Sequence, residues 1–341
     1  MNQKTRKAVS LISGGLDSLL ATKIILEQGV EVCGINFFTG FSGDHDHCFN
    51  KRCGSGRHGA KWVADRLGIK LHVIDVVDDF KPVLLCPKYG YGANINPCLD
   101  CKLFMIMQAK KWMEDHGYDF LITGEVLGQR PMSQRKDTLP IASKITSDLI
   151  VRPLCAKALE STIPEREGWI DRDKLYDISG RGRERQIELA HHFGFDEFPQ
   201  PGGGCTLTDA NFCGRLQDLF DHREDQNYSR DDVLLLNVGR HLRINPDLKI
   251  IVGRDEVENN FIETYADKNI LLQASNHPGA LVLIDGCVNK DDLILGARIA
   301  SYFSKGRNER DIKVLARHPQ EGEEALVVDP LQDDDLRKWY V

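Results

Sequence analysis

Segments that would mark a membrane or secreted protein are missing from this 341-residue sequence. No apolar run approaches the roughly 18 residues that span a bilayer, so an integral membrane protein is excluded and no membrane partner is expected. The stretch Ala8–Ile12 after the basic N-terminus is too short for the hydrophobic region of a secretion signal, so a cytoplasmic protein is expected. Positive charge is also scarce: 44 Lys and Arg stand against 51 Asp and Glu. This balance disfavours a nucleic acid partner without excluding one, because a local basic face can coexist with an acidic remainder.

The composition is that of a globular chain, with 41% hydrophobic and 28% charged residues. A chain of this length forms two domains more often than one. Its ten cysteines are not expected to form a disulfide framework, because a reducing compartment keeps thiols free. Cys33, Cys155 and Cys287 lie in apolar stretches and are interpreted as core residues.

The first part of the chain alternates apolar strands with helical patterns. Such alternation predicts βαβ units, and therefore a doubly wound α/β fold around a parallel sheet, which we place in a first domain over residues 1–215. The predicted strands span 8–12, 30–38, 70–77 and 119–123, and the predicted helices span 18–28, 57–67 and 101–116.

The pattern changes after a segment rich in proline and glycine at 195–204, which is typical of a domain edge. Shorter apolar runs then predict a smaller α+β domain over 216–341, with one helix at 291–303. These runs are 233–236, 248–252, 270–273, 281–284 and 325–328.

A glycine-rich segment joins the first predicted strand to the first predicted helix. Two glycines allow a sharp turn and a close approach to a ligand, and the helix N-terminus offers unpaired N–H groups with a partial positive charge. We expect this loop to bind the phosphates of ATP, with Asp17 holding Mg²⁺ on the pyrophosphate. A simple capped glycine turn is the alternative, and the P-loop and dinucleotide signatures are both absent. The loop residues are Ser13, Gly14, Gly15, Leu16, Asp17 and Ser18.

This strand–SGGxDS–helix arrangement resembles the PP-loop ATP pyrophosphatase superfamily, whose members adenylate a substrate and release pyrophosphate. A second segment, at 123–134, looks like the TGExLGQxxSQ stretch of tRNA 4-thiouridine synthetases, as does Val-Arg-Pro-Leu at 151–154. It follows the fourth predicted strand, and ligands of open parallel sheets bind at that edge. We expect it to contribute the following residues to the ATP site: Thr123, Gly124, Gln129, Ser133 and Gln134.

A Cys-x-x-Cys pair, Cys98 and Cys101, lies at the start of the third predicted helix. The helix dipole and Lys102 favour thiolates there. By itself the pair fits a redox, zinc or iron–sulfur site, or two packed thiols. Cys205 follows three glycines that can bring its sulfur close to another site. Three cysteines would hold three corners of a [4Fe–4S] cluster and leave the fourth iron open.

The order of PP-loop, Cys-x-x-Cys and remote cysteine is similar to that of iron–sulfur-dependent tRNA thiolation enzymes. The resemblance implies that Cys98, Cys101 and Cys205 ligate the cluster and are catalytic together with Asp17. It further implies a tRNA sulfurtransferase that converts ATP to AMP and pyrophosphate, takes its sulfur from inorganic sulfide or a donor protein, and makes 4-thiouridine at position 8. Three alternatives stay open: 2-thiolation of an anticodon uridine, a zinc-containing PP-loop ligase or amidotransferase, and a non-enzymatic RNA-binding protein.

Two further groups of residues have ligand-like composition. His45, His47, Cys48 and Cys53 form either a metal site with irregular spacing or a polar loop, and Cys213 is a reserve cluster ligand.

Basic residues are concentrated between 130 and 152 and at Arg181, Arg183 and Arg185. They are expected either to line an RNA backbone or to form solvated faces. The C-terminal domain, with Val-Gly-Arg-His at 238–241 and Ile-Val-Gly-Arg at 251–254, resembles an RNA-binding module of ribosome-associated proteins. This resemblance implies that the domain binds tRNA, and a homodimer is left as an open expectation.

Overall fold

The computed structural model describes residues 5–41, 59–198, 205–286, 288–332 and 336–341. Two compact units divide the chain at Thr208 and Asp209. The Asp209 carboxylate accepts a 2.7 Å hydrogen bond from the Phe212 N–H and caps helix Ala210–Asp221. The boundary proposed from the sequence, after residue 215, lies inside this helix, because the proline- and glycine-rich segment does not reveal where the helix begins. The function of each unit stays a prediction.

The first unit is built on five parallel strands in the order β3-β2-β1-β4-β5. The predicted doubly wound α/β fold is confirmed. Helix α1 contacts α2 and α7, and α4 contacts α3 and α5. The strands are β1 (Lys7–Leu11), β2 (Glu31–Phe38), β3 (Leu71–Asp75), β4 (Phe120–Ile122) and β5 (Ile150–Val151). The helices are α1 (Leu16–Leu26), α2 (Ala60–Leu67), α3 (Val77–Leu85), α4 (Cys98–Asp115), α5 (Leu139–Ile145), α6 (Ile163–Arg166) and α7 (Glu184–His192).

The strand order places two loops at one point of the sheet. β1 pairs with β2 on one side and with β4 on the other, so the direction of winding reverses between β1 and β4. The loops that follow the two strands at such a reversal form the ligand crevice of this fold class. Beneath them the core is fully buried, with Leu19 and Leu20 of α1 packed in one cluster with Phe120 of β4.

The second unit contains a six-stranded antiparallel sheet in the order β11-β10-β8-β9-β7-β6, which confirms the predicted α+β domain. Helix α11 covers the sheet with its buried residues Leu293, Ala297 and Ala300. The strands are β6 (Arg240–Asn245), β7 (Leu248–Val252), β8 (Ile270–Ala274), β9 (Val282–Gly286), β10 (Ile312–His318) and β11 (Gly322–Val328). The helices are α8 (Ala210–Asp221), α9 (Arg230–Leu236), α10 (Glu256–Glu263) and α11 (Lys290–Tyr302).

A buried ion cluster connects α8 to strands β6 and β7. Asp218 accepts hydrogen bonds from Lys249 at 2.7 Å and from Arg243 at 2.9 Å, and Lys249 is only 2% exposed. Burial acts to raise the pKa of Asp218, but the bonds to Arg243 and Lys249 outweigh it and lower this pKa to about 2. The carboxylate therefore stays ionised over the physiological pH range.

In the described part of the chain, no helix is both long enough and apolar enough to cross a membrane.

Candidate active site

The loop between β1 and α1 has the geometry of an anion-binding turn. Gly14 adopts a φ of +81°, a left-handed conformation that glycine takes without steric cost. Gly15 caps α1, and among the described residues no side chain caps the first turn in its place. The Ser18 hydroxyl donates to the Gly15 carbonyl across 2.8 Å and tightens the turn. The N–H groups of the first turn are thus left for an anionic ligand.

The segment after β4 contacts this loop at the level of the backbone. A Cβ atom on Gly124 would lie 2.6 Å from the Asp17 carbonyl carbon and 2.7 Å from the Ser18 nitrogen. Only glycine fits between these atoms without moving the loop. The loop at 13–18 and the segment at 123–134, which the sequence showed as separate motifs, are therefore in contact at Gly124.

Asp17 is the acidic residue of this loop, and its side chain is half-buried. Gln129 donates a 2.9 Å hydrogen bond to its Oδ2 atom. Burial raises the pKa of Asp17, while the Gln129 bond and the charges of Arg183 and Arg130 act in the opposite direction. Gln186 on α7 belongs to neither sequence motif, and its amide is near enough to Asp17 to lower its pKa. Among sequence features, Gln186 shows only that it is a polar residue at a position on the buried face of a helix.

Thr123 and Glu125 bind each other and Arg152. The Thr123 hydroxyl and the Arg152 Nε each donate to Glu125 Oε2 across 2.9 Å. Arg152 also donates to the Leu139 carbonyl at 2.9 Å and to the Ser143 hydroxyl at 3.0 Å. The Thr123 side chain, predicted in the ATP site, thus fixes the loop after β4.

Residues 128–134 form a closed loop that extends from Asp17, which Gln129 contacts, to the cysteine pair. The Gly128 N–H donates to the Gln134 carbonyl at 2.6 Å, and the Arg130 N–H donates to the Gln134 side chain at 3.2 Å. Next to Gln134, the Ser133 hydroxyl accepts from the Cys98 thiol across 3.4 Å. Gln134 holds this loop in shape, and Ser133 connects it to Cys98.

The cysteine pair occupies the first turn of α4, which begins at Cys98. The Cys101 N–H donates to the Pro97 carbonyl across 2.8 Å. Burial raises the pKa of the Cys101 thiol far above its usual value, the Cys205 and Cys98 sulfurs raise it further, and Lys102 with Arg130 lowers it. Burial of Cys101 thus acts against the predicted thiolate, and desolvation exceeds the effect of the nearby cations on its pKa.

Cys205 lies close enough to Cys101 to influence its ionisation. The segment after it is held in place from two sides: Thr206 donates twice to the Phe41 carbonyl, at 3.1 Å and 3.0 Å, and Asn94 donates to the Thr208 carbonyl at 2.9 Å. Tertiary contacts therefore hold the segment after Cys205, the third predicted cysteine, which lies near Cys101.

Among the described residues, no group of three or more His, Cys, Asp or Glu side chains is tight enough to hold one metal ion. The candidate ligands at 45, 47, 48 and 53 lie outside the described residues, and Cys213 lies on α8 in the second unit.

The predicted basic residues differ in their surroundings. Arg130 and Arg183 act electrostatically on Asp17. In contrast, Arg135 pairs with Asp137 at 2.9 Å and Arg185 with Asp177 at 2.8 Å, all with exposed side chains. Such surface pairs contribute about 0–1 kcal/mol.

The second unit is acidic except in one stretch. Residues 209–341 contain 17 Lys and Arg against 25 Asp and Glu, whereas residues 298–317 contain six against two. Two neighbouring rings of this stretch each contact an arginine: Arg240 of β6 lies 5.2 Å from the Phe303 ring centre, and Arg307 lies 4.7 Å from that of Tyr302. The two rings are 4.9 Å apart in an edge-to-face arrangement. We call these four residues, Arg240, Tyr302, Phe303 and Arg307, the aromatic–arginine face.

Comparisons with known proteins divide the chain in the same way. Residues 3–164 match the family model of the thiamine biosynthesis protein ThiI, and residues 239–340 match that of the NFACT protein RNA binding domain. A tRNA-specific 2-thiouridylase MnmA of Geotalea uraniireducens is 29% identical over 132 residues, which is 36% of this chain and 35% of the relative. A second MnmA, of Syntrophus aciditrophicus, is 29% identical over 236 residues, covering 62% of this chain and 56% of the relative.

A solved 4-thiouridine synthetase–RNA complex with bound ATP has a TM-score of 0.39 and 20% identity, covering 68% of this chain and 52% of that one. The chain spans about a third of the length of the first curated relatives that it matches. Residues 3–164 are thus similar to the ThiI family, and residues 239–340 are similar to the NFACT RNA binding domain.

Proposed function

We propose that this chain is an ATP-dependent tRNA sulfurtransferase that adenylates a uridine carbonyl and replaces its oxygen with sulfur. One observation carries the proposal: the phosphate loop and the cysteine pair are joined through a single short segment. Gly124 packs against the backbone of Asp17 and Ser18, and Ser133 of the same segment hydrogen-bonds Cys98. Activation by ATP and delivery of sulfur need neighbouring sites of this kind, because the activated uridine must react with sulfur before water hydrolyses it.

ATP solves the difficulty that a carbonyl oxygen is a poor leaving group. The uridine oxygen attacks the α-phosphorus and pyrophosphate leaves; sulfur at the sulfide level then adds to the activated carbon, and AMP departs with the oxygen. No net oxidation or reduction occurs. The N–H groups at the start of α1 bind the phosphates, and Arg130 and Arg183 neutralise the charge that develops on the departing pyrophosphate.

The cysteines form the sulfur-handling part of the site. When bound to Cys98, Cys101 and Cys205, a [4Fe–4S] cluster would supply an iron with an open coordination position for sulfide. Metal binding requires the thiolate form, and the positive charges of Lys102 and Arg130 lower the pKa of Cys101 towards it. Ser133 orients the Cys98 sulfur.

The second unit is proposed to bind the tRNA. Its match to the NFACT RNA binding domain supports this role, as does the local excess of Lys and Arg at 298–317. Arginine and aromatic side chains side by side are suited to unstacked bases and to phosphates. A uridine must leave its stack to reach the site, and a weakly paired tRNA position lowers that cost.

We propose uridine 8 as the target and 4-thiouridine as the product. The second candidate is 2-thiouridine, favoured by the similarity to proteins named tRNA-specific 2-thiouridylases. The test incubates the anaerobically reconstituted protein with ATP, Mg²⁺, sulfide and unmodified tRNA, followed by nucleoside mass spectrometry. We expect ATP-dependent 4-thiouridine; 2-thiouridine would support the second candidate. The lack of tRNA-stimulated pyrophosphate release would contradict both, and one zinc per chain without iron would indicate a PP-loop ligase.

A further inference from the structure

Gln186 is a fully buried residue on α7, and neither polar atom of its amide has a hydrogen-bond partner among the described residues. An unpaired buried polar group destabilises the folded chain, because it has lost its hydrogen bonds to water without replacing them. Leucine or methionine would fill the same space without that cost. The amide therefore points to a ligand that comes from outside the chain.

Two other unpaired oxygens lie next to Gln186. Asp17 Oδ1 and Gln129 Oε1 are both buried, and no described residue hydrogen-bonds either atom. Gln129 uses its Nε2 to donate to Asp17 Oδ2, and the Gln186 amide lies against the same carboxyl group. Three side chains from the phosphate loop, the loop after β4, and α7 thus meet, each with one unpaired oxygen.

The charges around these oxygens favour a cation that arrives with phosphates. Asp17 Oδ1 is buried without a hydrogen-bond partner among the described residues, and Asp17 Oδ2 accepts its hydrogen bond from the neutral Gln129 amide. Carboxylate and amide oxygens are suitable ligands for a divalent cation, and Mg²⁺ typically binds one or two protein oxygens together with substrate phosphates. Arg130 and Arg183 repel a bare cation but attract the phosphates.

We propose that Gln186 is a positioning residue for the divalent cation on the nucleotide, acting together with Asp17 and Gln129. Asp17 Oδ1, Gln129 Oε1 and Gln186 Oε1 face the cation or its bound waters. The inference rests on the proposed use of ATP. It explains why α7, remote in sequence from both motifs, carries a buried amide at this position.

The test measures metal binding without catalysis. Mn²⁺ is titrated into the full chain with α,β-methylene-ATP, and free Mn²⁺ is followed by electron paramagnetic resonance. We expect Gln186→Leu to weaken Mn²⁺ binding about tenfold. Binding of the metal-free analogue in EDTA should change less than about twofold, because the phosphate ligands remain. Glu188→Gln, at an exposed position of the same helix, is the matched control and should bind like the wild type.

Three results would overturn the inference: unchanged Mn²⁺ affinity in a folded Gln186→Leu variant, an equal loss of metal-free nucleotide binding, or a control that weakens equally. If Gln186→Leu does not fold, Gln186→Glu decides the question, because it keeps the oxygen and adds negative charge. It should bind Mn²⁺ at least as tightly as the wild type, and weaker binding would contradict the inference. The measurement contains no tRNA or sulfide, so a wild type that binds Mn²⁺ with the analogue but thiolates nothing would refute the proposed function alone.

Discussion

The Nε atom of Arg152 lies 2.9 Å from the Glu125 carboxylate, and these side chains are only 4% and 2% exposed. The pair joins β5 to the loop after β4, and the Cys155 thiol adds a 3.2 Å hydrogen bond to the Glu125 carbonyl. Two residues that lie 27 positions apart in the sequence, one in each motif, therefore bind each other. The pair lies beside Gly124, which contacts the phosphate loop.

Removing one partner of this buried pair should destabilise the protein strongly. Arg152→Met leaves the Glu125 charge buried and unpaired, and we expect a loss of about 3–5 kcal/mol in the free energy of unfolding. Urea unfolding measures it. Arg135→Met, which removes one member of an exposed pair, is the control and should change stability by less than about 1 kcal/mol. Equal effects for the two variants would show that burial of the pair is unimportant.

The Asp218 cluster predicts a stability that depends on acid pH. The folded-state pKa of Asp218 is lowered from 3.8 to about 2, so its contribution is present above pH 3.8 and is lost as the pH falls towards 2. Thermal unfolding between pH 5 and pH 2 should therefore show a steeper loss of stability in the wild type than in Asp218→Asn. Parallel pH profiles would contradict this assignment.

Gly124 should tolerate no side chain. In Gly124→Ala the new methyl group meets the backbone of Asp17 and Ser18, so the phosphate loop must shift, and we expect ATP binding to weaken about tenfold or more. Calorimetric titration with a non-hydrolysable ATP analogue measures the change. Gly214→Ala on α8 is a suitable control, because a Cβ there meets no atom within 4 Å. Retained affinity in Gly124→Ala would mean that the contact does not shape the nucleotide site.

Serine replacement of a proposed cluster ligand should abolish thiolation and lower the bound iron. ATP binding should persist, because none of the three cysteines belongs to the phosphate loop. The variants are Cys98→Ser, Cys101→Ser and Cys205→Ser. Iron and sulfide analysis of anaerobically purified protein, together with nucleoside mass spectrometry, makes the comparison. Cys86→Ser, at an exposed free cysteine, should keep both iron and activity. A variant with full activity would remove that cysteine from the ligand set.

Asp17→Asn should lose ATP activation and keep its bound iron, the reverse of the pattern expected for the cysteine variants. It removes the charge that faces the nucleotide, so tRNA-stimulated pyrophosphate release should fall by at least about a hundredfold while bound iron is unchanged. A radiolabelled pyrophosphate assay measures the rate. Loss of iron in Asp17→Asn would indicate a disturbed fold and contradict the separation of the two sites.

The aromatic–arginine face should contribute to tRNA affinity. Tyr302→Ala removes a stacking surface and should weaken binding about fivefold or more. Arg307→Ala should weaken binding and reduce the salt dependence by about one phosphate contact. Fluorescence anisotropy at several salt concentrations separates these effects. Lys268→Ala, which breaks an exposed pair with Asp231, is the control, and equal losses there would show that the face is not specific.

Local patterns predicted most of the first unit. Apolar strands bounded by glycine turns located β1, β2 and β4, because a strand buried on both faces appears as a continuous apolar run. The predicted strand 70–77 is too long, since α3 begins at Val77. The Asp75 carboxylate accepts from the Val77 N–H at 3.0 Å and starts that helix, and Pro82 within it weakens the helical signal.

The fold class and the glycine turn between β1 and α1 could be predicted from local sequence patterns, because both depend on residues that are neighbours in the chain. The assembled fold was needed to show which distant residues come together: Gly124 with Asp17, Ser133 with Cys98, and Gln186 with the phosphate loop. It was also needed to show that burial raises the pKa of Cys101, because the desolvation of a thiol depends on what packs around it. Sequence spacing contains neither kind of information, since burial and long-range contact arise only when the whole sheet and its helices are assembled.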